Sequence, residues 1–138
     1  MQQTVGNPAH NASLGSVVTL GVLPFSHIYG MVCIMISAIV NGGTVVTLPK
    51  FDPATFLDAL SRYKVAYANL VPPLVNFLAR HPLVDGVDLS SLKIVFSGAA
   101  PLDAVTQAQL VKRLPGVSSR QGYGMTEASP VTHIPFCA

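Results

Sequence analysis

The chain has 138 residues, of which 50% are hydrophobic and 10% are charged, and its formal net charge is +2 at pH 7. Soluble domains carry about 25% charged residues, so the low charge predicts that much of this chain is interior to a larger protein. Its eight basic residues form no Lys/Arg run, which argues against a nucleic-acid-binding surface and against a polybasic membrane surface.

Cysteine usage and hydropathy bear on the cellular compartment. Cys33 lies in an apolar run and Cys137 lies next to the last residue, a pattern that predicts two free thiols in a reducing compartment. The longest apolar stretch, Ile28 to Val40, is shorter than the roughly 20 residues that span a bilayer. No basic start followed by an apolar core is visible at the N-terminus, so no secretory signal is predicted. We therefore expect an intracellular protein without a transmembrane segment.

Strand-like and helix-like segments alternate along the chain. Residues 1–16 are polar and predict a loop or tail, and residues 17–138 predict one part of a larger domain. The predicted elements in chain order are a strand at 17–25, a helix at 28–40, a strand at 44–48, a helix at 52–63, a strand at 65–71, a helix at 72–82, a strand at 92–96, a helix at 102–114 and a strand at 119–123. The alternation predicts an α/β fold, a largely parallel sheet with helices packed on it.

Small and polar residues follow three of the predicted strands, at residues 25–30, 97–101 and 122–127. In a parallel sheet the ligand binds beyond the carboxyl ends of the strands. These three segments are therefore the candidate site before any family is considered.

The segment Gln121-Gly122-Tyr123-Gly124-Met125-Thr126-Glu127 carries the most chemical information. Its two glycines let the backbone approach a ligand closely, and the tyrosine between them offers a stacking face. Thr126 can bond a phosphate oxygen, and the Glu127 carboxylate suits Mg²⁺. Taken alone, the same residues also fit a glycine-rich turn with a surface Thr-Glu pair.

Two further segments allow structural as well as functional interpretations. Ser97-Gly98-Ala99-Ala100-Pro101 fits a small-residue turn between a strand and a helix. His27, between a strand end and an apolar helix, could serve as a helix cap. His10, His81 and His133 have no ligand-like spacing and are expected to be structural or exposed.

Residues 121–127 match the signature Gln-Gly-Tyr-Gly-Met/Leu-Thr-Glu at every position and so resemble the acyl-adenylate-forming ligases, the family of 4-coumarate–CoA ligase, acyl-CoA synthetases and luciferase. Residues 97–102 and 23–30 resemble two other segments of that family, and the match runs from about Val17 to about Val131. The fold implied is part of an adenylation domain. The family's phosphate loop and C-terminal domain have no counterpart in these residues.

The resemblance implies roles for individual residues. Thr126 would hold the α-phosphate, Glu127 would place Mg²⁺, and His27 would lie near the activated carboxylate; these are the catalytic candidates. The nucleotide-binding candidates are Gly98, Ala99, Ala100, Pro101, Gln121, Gly122, Tyr123, Gly124 and Thr126. The acyl-pocket candidates are His27, Tyr29, Ala99, Gly124, Pro130 and Val131. Phe96, bulky and apolar, would accommodate a polar aryl hydroxyl poorly.

The resemblance implies a carboxylate–CoA ligase that uses ATP, Mg²⁺ and coenzyme A on an aryl or fatty acid, and implies that this chain alone is inactive. Two alternatives stay open: a luciferase-like oxygenase that shares the adenylation step, and a non-catalytic nucleotide-binding remnant. Peroxisomal location is common in this branch of the family, with the cytoplasm as the other expectation. The acid and the oligomeric state are not predicted.

Overall fold

The computed structural model describes residues 17–134, so the predictions for residues 1–16 and for Cys137 lie outside it. The strands in this range are Val18–Gly21 (β1), Thr44–Thr47 (β2), Tyr67–Leu70 (β3), Ile94–Ser97 (β4), Ser118–Gln121 (β5), Tyr123–Gly124 (β6) and Val131–His133 (β7). The helices are α1, π-helical over Tyr29–Ile36 and α-helical over Ser37–Val40, then Pro53–Arg62 (α2), Pro72–Arg80 (α3) and Ala104–Arg113 (α4), with 3₁₀ turns at Pro82–Val84 and Thr126–Ala128.

Strands β1 to β5 form one parallel sheet in the order β2-β1-β3-β4-β5. The predicted α/β fold with a parallel sheet is therefore confirmed. The chain runs outward from β1 to β2 and then returns to β3 on the other side of β1. Such a reversal opens a crevice at the carboxyl ends of the strands. β6 and β7 form a separate antiparallel pair.

One face of the sheet is covered by α2, α3 and α4, and we call it the core face. Its fully buried side chains include Leu20, Phe56, Leu60, Val75, Leu78, Val95 and Leu110. Phe56 is flanked by Phe51 and Phe77 in edge-on contacts, with ring centroids 5.4 and 6.0 Å away. Burial of apolar surface is the dominant favourable term in folding. The packing of the three helices on the core face therefore stabilises the sheet.

The helices α2 and α3 begin within one residue of their predicted starts, and α4 begins at Ala104, two residues later than predicted. The Asp52 carboxylate accepts from the amide of Thr55 at 2.9 Å, and Pro53 occupies the first turn of α2. Asp103 accepts from the amide of Thr106 at 2.7 Å at the start of α4. Each carboxylate pairs a backbone donor that a helix leaves without an internal partner.

The opposite face carries α1. The side-chain amide of Asn69 in β3 donates to the backbone oxygen of Cys33 in this helix at 3.5 Å. Cys33 is a free thiol, as predicted, and burial raises its pKa to about 11. No helix in residues 17–134 has the length and hydropathy needed to cross a membrane.

Three predicted elements show the clearest differences from the structure, and the bounds of the others shift by up to two residues. The first strand was predicted for 17–25, but β1 ends at Gly21, and residues 22–28 form a loop in which the amide of His27 donates to Pro24. The strand predicted for 119–123 ends at Gln121, and Tyr123 belongs to β6. The helix predicted for 28–40 exists, but its first eight residues are π-helical, a geometry that hydrophobic periodicity does not reveal.

Candidate functional site

A cleft of about 170 Å³ lies at the carboxyl edge of the sheet. It is lined by the ends of the loops that follow β1, β4 and β5, and by the turn before β7. The lining residues are His27, Ile28, Tyr29, Phe96, Gly98, Ala99, Gly122, Tyr123, Gly124, Met125, Thr126, Pro130 and Val131. Ligand pockets usually enclose about 300–1,000 Å³, so this cleft is smaller than a typical pocket.

Tyr29 joins the helix α1 to the carboxyl edge of the sheet. Its hydroxyl lies 3.2 Å from the backbone oxygen of Phe96 and 3.4 Å from that of Leu70, at the ends of β4 and β3. Burial raises the pKa of this phenol far above its ordinary value, and the neighbouring Tyr67 and Cys33 add to the rise. The phenol therefore stays neutral and donates, and its ring forms a fixed wall of the cleft.

Gly98 is required by the position of that ring. A Cβ atom at Gly98 would lie 3.0 Å from the ring carbons of Tyr29, which is closer than ordinary contact. The next residue, Ala99, has φ of +70° although it is not glycine, and a side chain in that region costs backbone strain. The turn after β4 thus presents two small residues to the cleft, the buried Gly98 and the exposed Ala99.

His27 is exposed, and its ring is oriented by the backbone of α1. Its Nδ1 accepts from the amide of Tyr29 at 3.1 Å, and its carbonyl oxygen accepts from Met31. Since Nδ1 is an acceptor, the neutral ring carries its proton on Nε2. His27 therefore accepts from an amide in the first turn of α1 and also lines the cleft.

The glycines after β5 are required because other groups come close to their Cα atoms. A Cβ atom at Gly122 would lie 2.3 Å from the Phe96 ring, and one at Gly124 would lie 2.1 Å from the backbone oxygen of Pro130. Tyr123 between them is 60% exposed, and its ring centroid is 6.1 Å from that of His133. The aromatic face is thus free to stack on a ligand.

Thr126 and Glu127 begin the 3₁₀ turn after β6, and both are exposed. Thr126 lines the cleft, whereas Glu127 lies beside it. Within residues 17–134, no group of three or more His, Cys, Asp or Glu side chains could hold a metal ion. One exposed carboxylate fits Mg²⁺, which is usually bound through one or two carboxylates together with water and phosphate oxygens.

The predicted site residues fall into two groups in the structure. Of those named from the sequence, Ala100, Pro101, Gln121 and Glu127 do not line the cleft, whereas the others do. Ile28 and Met125 line it without having been predicted, because neither side chain carries a reactive group. Their position within the motif segments at the strand ends is the sequence signal that could have found them.

The parallel sheet and the cleft at its carboxyl edge define an α/β ligand-binding domain. A family model described as AMP-binding enzyme matches residues 1–137, and the chain belongs to this family. The predicted resemblance to acyl-adenylate-forming ligases is thereby confirmed.

Similar proteins give the same result. The chain is 44% identical over 130 residues to 4-coumarate–CoA ligase 3 of Arabidopsis thaliana, a match that covers 94% of this chain and 23% of that protein. A red-emitting luciferase of Phrixothrix hirtus is 32% identical with a TM-score of 0.77, covering 86% of this chain and 22% of that one. A long-chain-fatty-acid–CoA ligase of Archaeoglobus fulgidus, 24% identical with a TM-score of 0.79 over 96% of this chain and 28% of that one, shares the fold. The chain thus spans 22% to 28% of the length of these relatives.

Proposed function

We propose that this chain is part of an ATP-dependent carboxylate–CoA ligase. A carboxylate oxygen attacks the α-phosphorus of ATP, which gives an acyl-adenylate and pyrophosphate. The thiol of coenzyme A then attacks the acyl carbon and expels AMP. The observation that carries the proposal is the meeting of all three motif segments in one cleft, in a chain that is 44% identical to a 4-coumarate–CoA ligase.

Nucleotide binding is assigned to the segments that follow β4 and β5. Gly98 and Ala99, which line the cleft, provide a backbone wall for the adenine. Tyr123 provides an exposed ring for stacking, and the Thr126 hydroxyl donates to the α-phosphate. The space that a side chain would need at Gly122 is occupied by the Phe96 ring, and the space at Gly124 is occupied by the backbone of Pro130. These glycines therefore act by permitting close packing of the motif.

The proposed reaction depends on positioning and on charge neutralisation, since phosphoryl transfer needs little acid–base chemistry. Glu127 is the residue that would hold Mg²⁺, and the ion when bound would neutralise charge on the α- and β-phosphates. We assign the Nε2–H of His27 as a donor to the incoming carboxylate, because His27 lines the cleft. This donor role uses the tautomer that the Tyr29 amide selects.

The acyl group is assigned to the side of the cleft formed by Tyr29, Ala99, Gly124, Pro130 and Val131. Phe96 and Tyr29 give this side flat, apolar surfaces, which suit an aryl or alkyl chain. We propose an aryl or fatty acid as the substrate, with action inside the cell, in the peroxisome or the cytoplasm.

The test is a chimera in which residues 17–134 replace the matching segment of the Arabidopsis thaliana ligase. We expect ATP–pyrophosphate exchange and CoA thioester formation with cinnamic or medium-chain fatty acids. Thr126→Val, which keeps the shape of the side chain, should lower the exchange rate without changing the circular dichroism spectrum. A folded chimera that binds ATP but shows no ATP–pyrophosphate exchange with any carboxylate tested would contradict the proposal. Light emission with a luciferin, in place of thioester formation, would assign the second step to an oxygenase.

A further inference from the structure

The side chain of Gln121 is directed at the protein backbone. Its Oε1 accepts from the amide of Leu102 at 3.0 Å, and its Nε2 donates to the carbonyl oxygen of Leu102 at 3.1 Å. One side-chain amide thus satisfies both backbone groups of a residue 19 positions away in the sequence. This is the two-point pairing that neighbouring strands make, formed here between a side chain and a loop.

A second glutamine holds that amide in place. Nε2 of Gln121 lies 3.3 Å from Oε1 of Gln107 in α4, and Nε2 of Gln107 donates to the carbonyl oxygen of Ser119 in β5 at 3.1 Å. Both hydrogens of the Gln121 amide therefore have protein acceptors, and they leave the group no free donor for a ligand. Gln121 is also absent from the residues that line the cleft, although Gly122 is among them.

The loop that Gln121 contacts is the one assigned to the adenine, and we call residues 98–102 the β4 loop. Its start is tied to the sheet, since the amide of Gly98 donates to Leu70 at 3.1 Å. Its middle includes the strained Ala99 and is exposed. Its end is tied by Leu102, whose side chain is buried and whose amide and carbonyl are both held by Gln121.

We infer that Gln121 is a positioning residue whose side chain fixes the β4 loop against β5 through the backbone of Leu102. The inference rests on the proposed function, which assigns the β4 loop to the adenine. The sequence-based expectation that Gln121 also contacts the nucleotide stays a prediction. The rigid loop offers the adenine a preformed wall, which lowers the entropy lost on binding.

Hydrogen exchange at single amides tests the clamp without any need for activity. In Gln121→Leu, a side chain of similar size without polar atoms, the Leu102 amide should exchange about tenfold faster, since it loses its acceptor. In Gln121→Glu the carboxylate still accepts from that amide but cannot donate to the Leu102 carbonyl. Slow exchange of the Leu102 amide should therefore persist in the glutamate variant.

The matched control is Arg80→Met, which removes two side-chain hydrogen bonds between α3 and α4, to Gln109 at 2.6 Å and to Thr106 at 3.1 Å. This variant loses stability by the same kind of change, away from the cleft. It should leave both Leu102 exchange and adenine-nucleotide affinity at their original values. Hydrogen exchange is measured on the 138-residue chain. It is measured again on the chimera, in which residues 17–134 lie within a complete domain.

Nucleotide affinity completes the test. In the chimera, Gln121→Leu should raise the KM for ATP about tenfold with a smaller change in kcat, because a loosened wall weakens binding more than chemistry. Unchanged Leu102 exchange would overturn the inference, and so would faster exchange with unchanged ATP affinity. A chimera without ligase activity would count against the proposed function alone, since exchange and direct ATP binding still report on Gln121.

Discussion

The core face and the cleft lie on the same five-stranded sheet, one on a face and the other at the carboxyl edge, but they use their residues differently. On the core face, Phe56, Leu60 and Val95 are fully buried and pack against one another. At the cleft, Tyr123 and Met125 are exposed, and Ala99 has a strained backbone. Stability is therefore concentrated on one side of the sheet, and the edge above it is left open and preformed for a ligand. Substitutions on the two sides should have separable consequences.

The largest expected effect is a loss of stability from a substitution in the core face. Phe56→Ala removes a side chain with no exposed surface, and losses of this kind cost about 3–5 kcal/mol. Chemical denaturation of the chimera should show a fall of that size in the free energy of unfolding. Phe51→Ala, at a position that is 39% exposed, is the control and should cost clearly less. Equal losses at the two positions would contradict the assignment of the core.

The second effect touches the cleft and leaves the core face intact. Glu127→Ala should lower ATP–pyrophosphate exchange about 10²-fold, the size seen when one group that stabilises transition-state charge is removed. ATP affinity and the melting temperature should hardly change, because the side chain is exposed. Asp58→Asn removes another exposed carboxylate, in α2, and should leave exchange unaltered. Unchanged exchange in Glu127→Ala would remove Glu127 from the mechanism.

A third substitution sharpens the comparison because it changes the stability and the shape of the cleft at the same time. Gly124→Ala places a Cβ atom 2.1 Å from the Pro130 oxygen, so the backbone must shift, at a cost of roughly 1–3 kcal/mol. Adenylation should fall with stability, since the shifted segment lines the cleft. Gly116→Ala is the control: its φ is +94° but nothing lies near the added atom. This variant should lose stability and keep its KM for ATP.

The smallest effect is the acid dependence contributed by the two carboxylates at the starts of α2 and α4. Hydrogen bonds to the side chain and amide of Thr106 lower the pKa of Asp103, and the amide and then the side chain of Thr55 do the same for Asp52. A lowered folded-state pKa gives stability that is complete above the unfolded pKa of about 3.9 and is lost as the pH falls below it. Denaturation midpoints measured at pH 7 and pH 3 should therefore differ less in Asp52→Asn/Asp103→Asn than in the parent chain. An equal difference would exclude these carboxylates as the cause.

The sequence predicted the order of the elements, the parallel sheet and the three segments that meet at its edge. These features follow from hydrophobic periodicity and from Gly and Pro at the element ends, which act over short distances. The role of Gln121 could not be predicted in this way, because its partners Leu102 and Gln107 are distant in the sequence. The π-helical geometry of α1 was equally hidden, since the apolar residues of Tyr29–Ile36 fit either helix.

The strand order leaves β2 and β5 as the outer strands of the five-stranded sheet in the described part of the chain. An outer strand presents backbone donors and acceptors that can pair with another chain, and proteins usually shield such edges with charge or with a covering segment. Only 10% of the residues here are charged, so electrostatic repulsion offers little shielding. At high concentration, copies of the chain should therefore associate by pairing these outer strands. A polypeptide segment that covers the two edges should prevent this association.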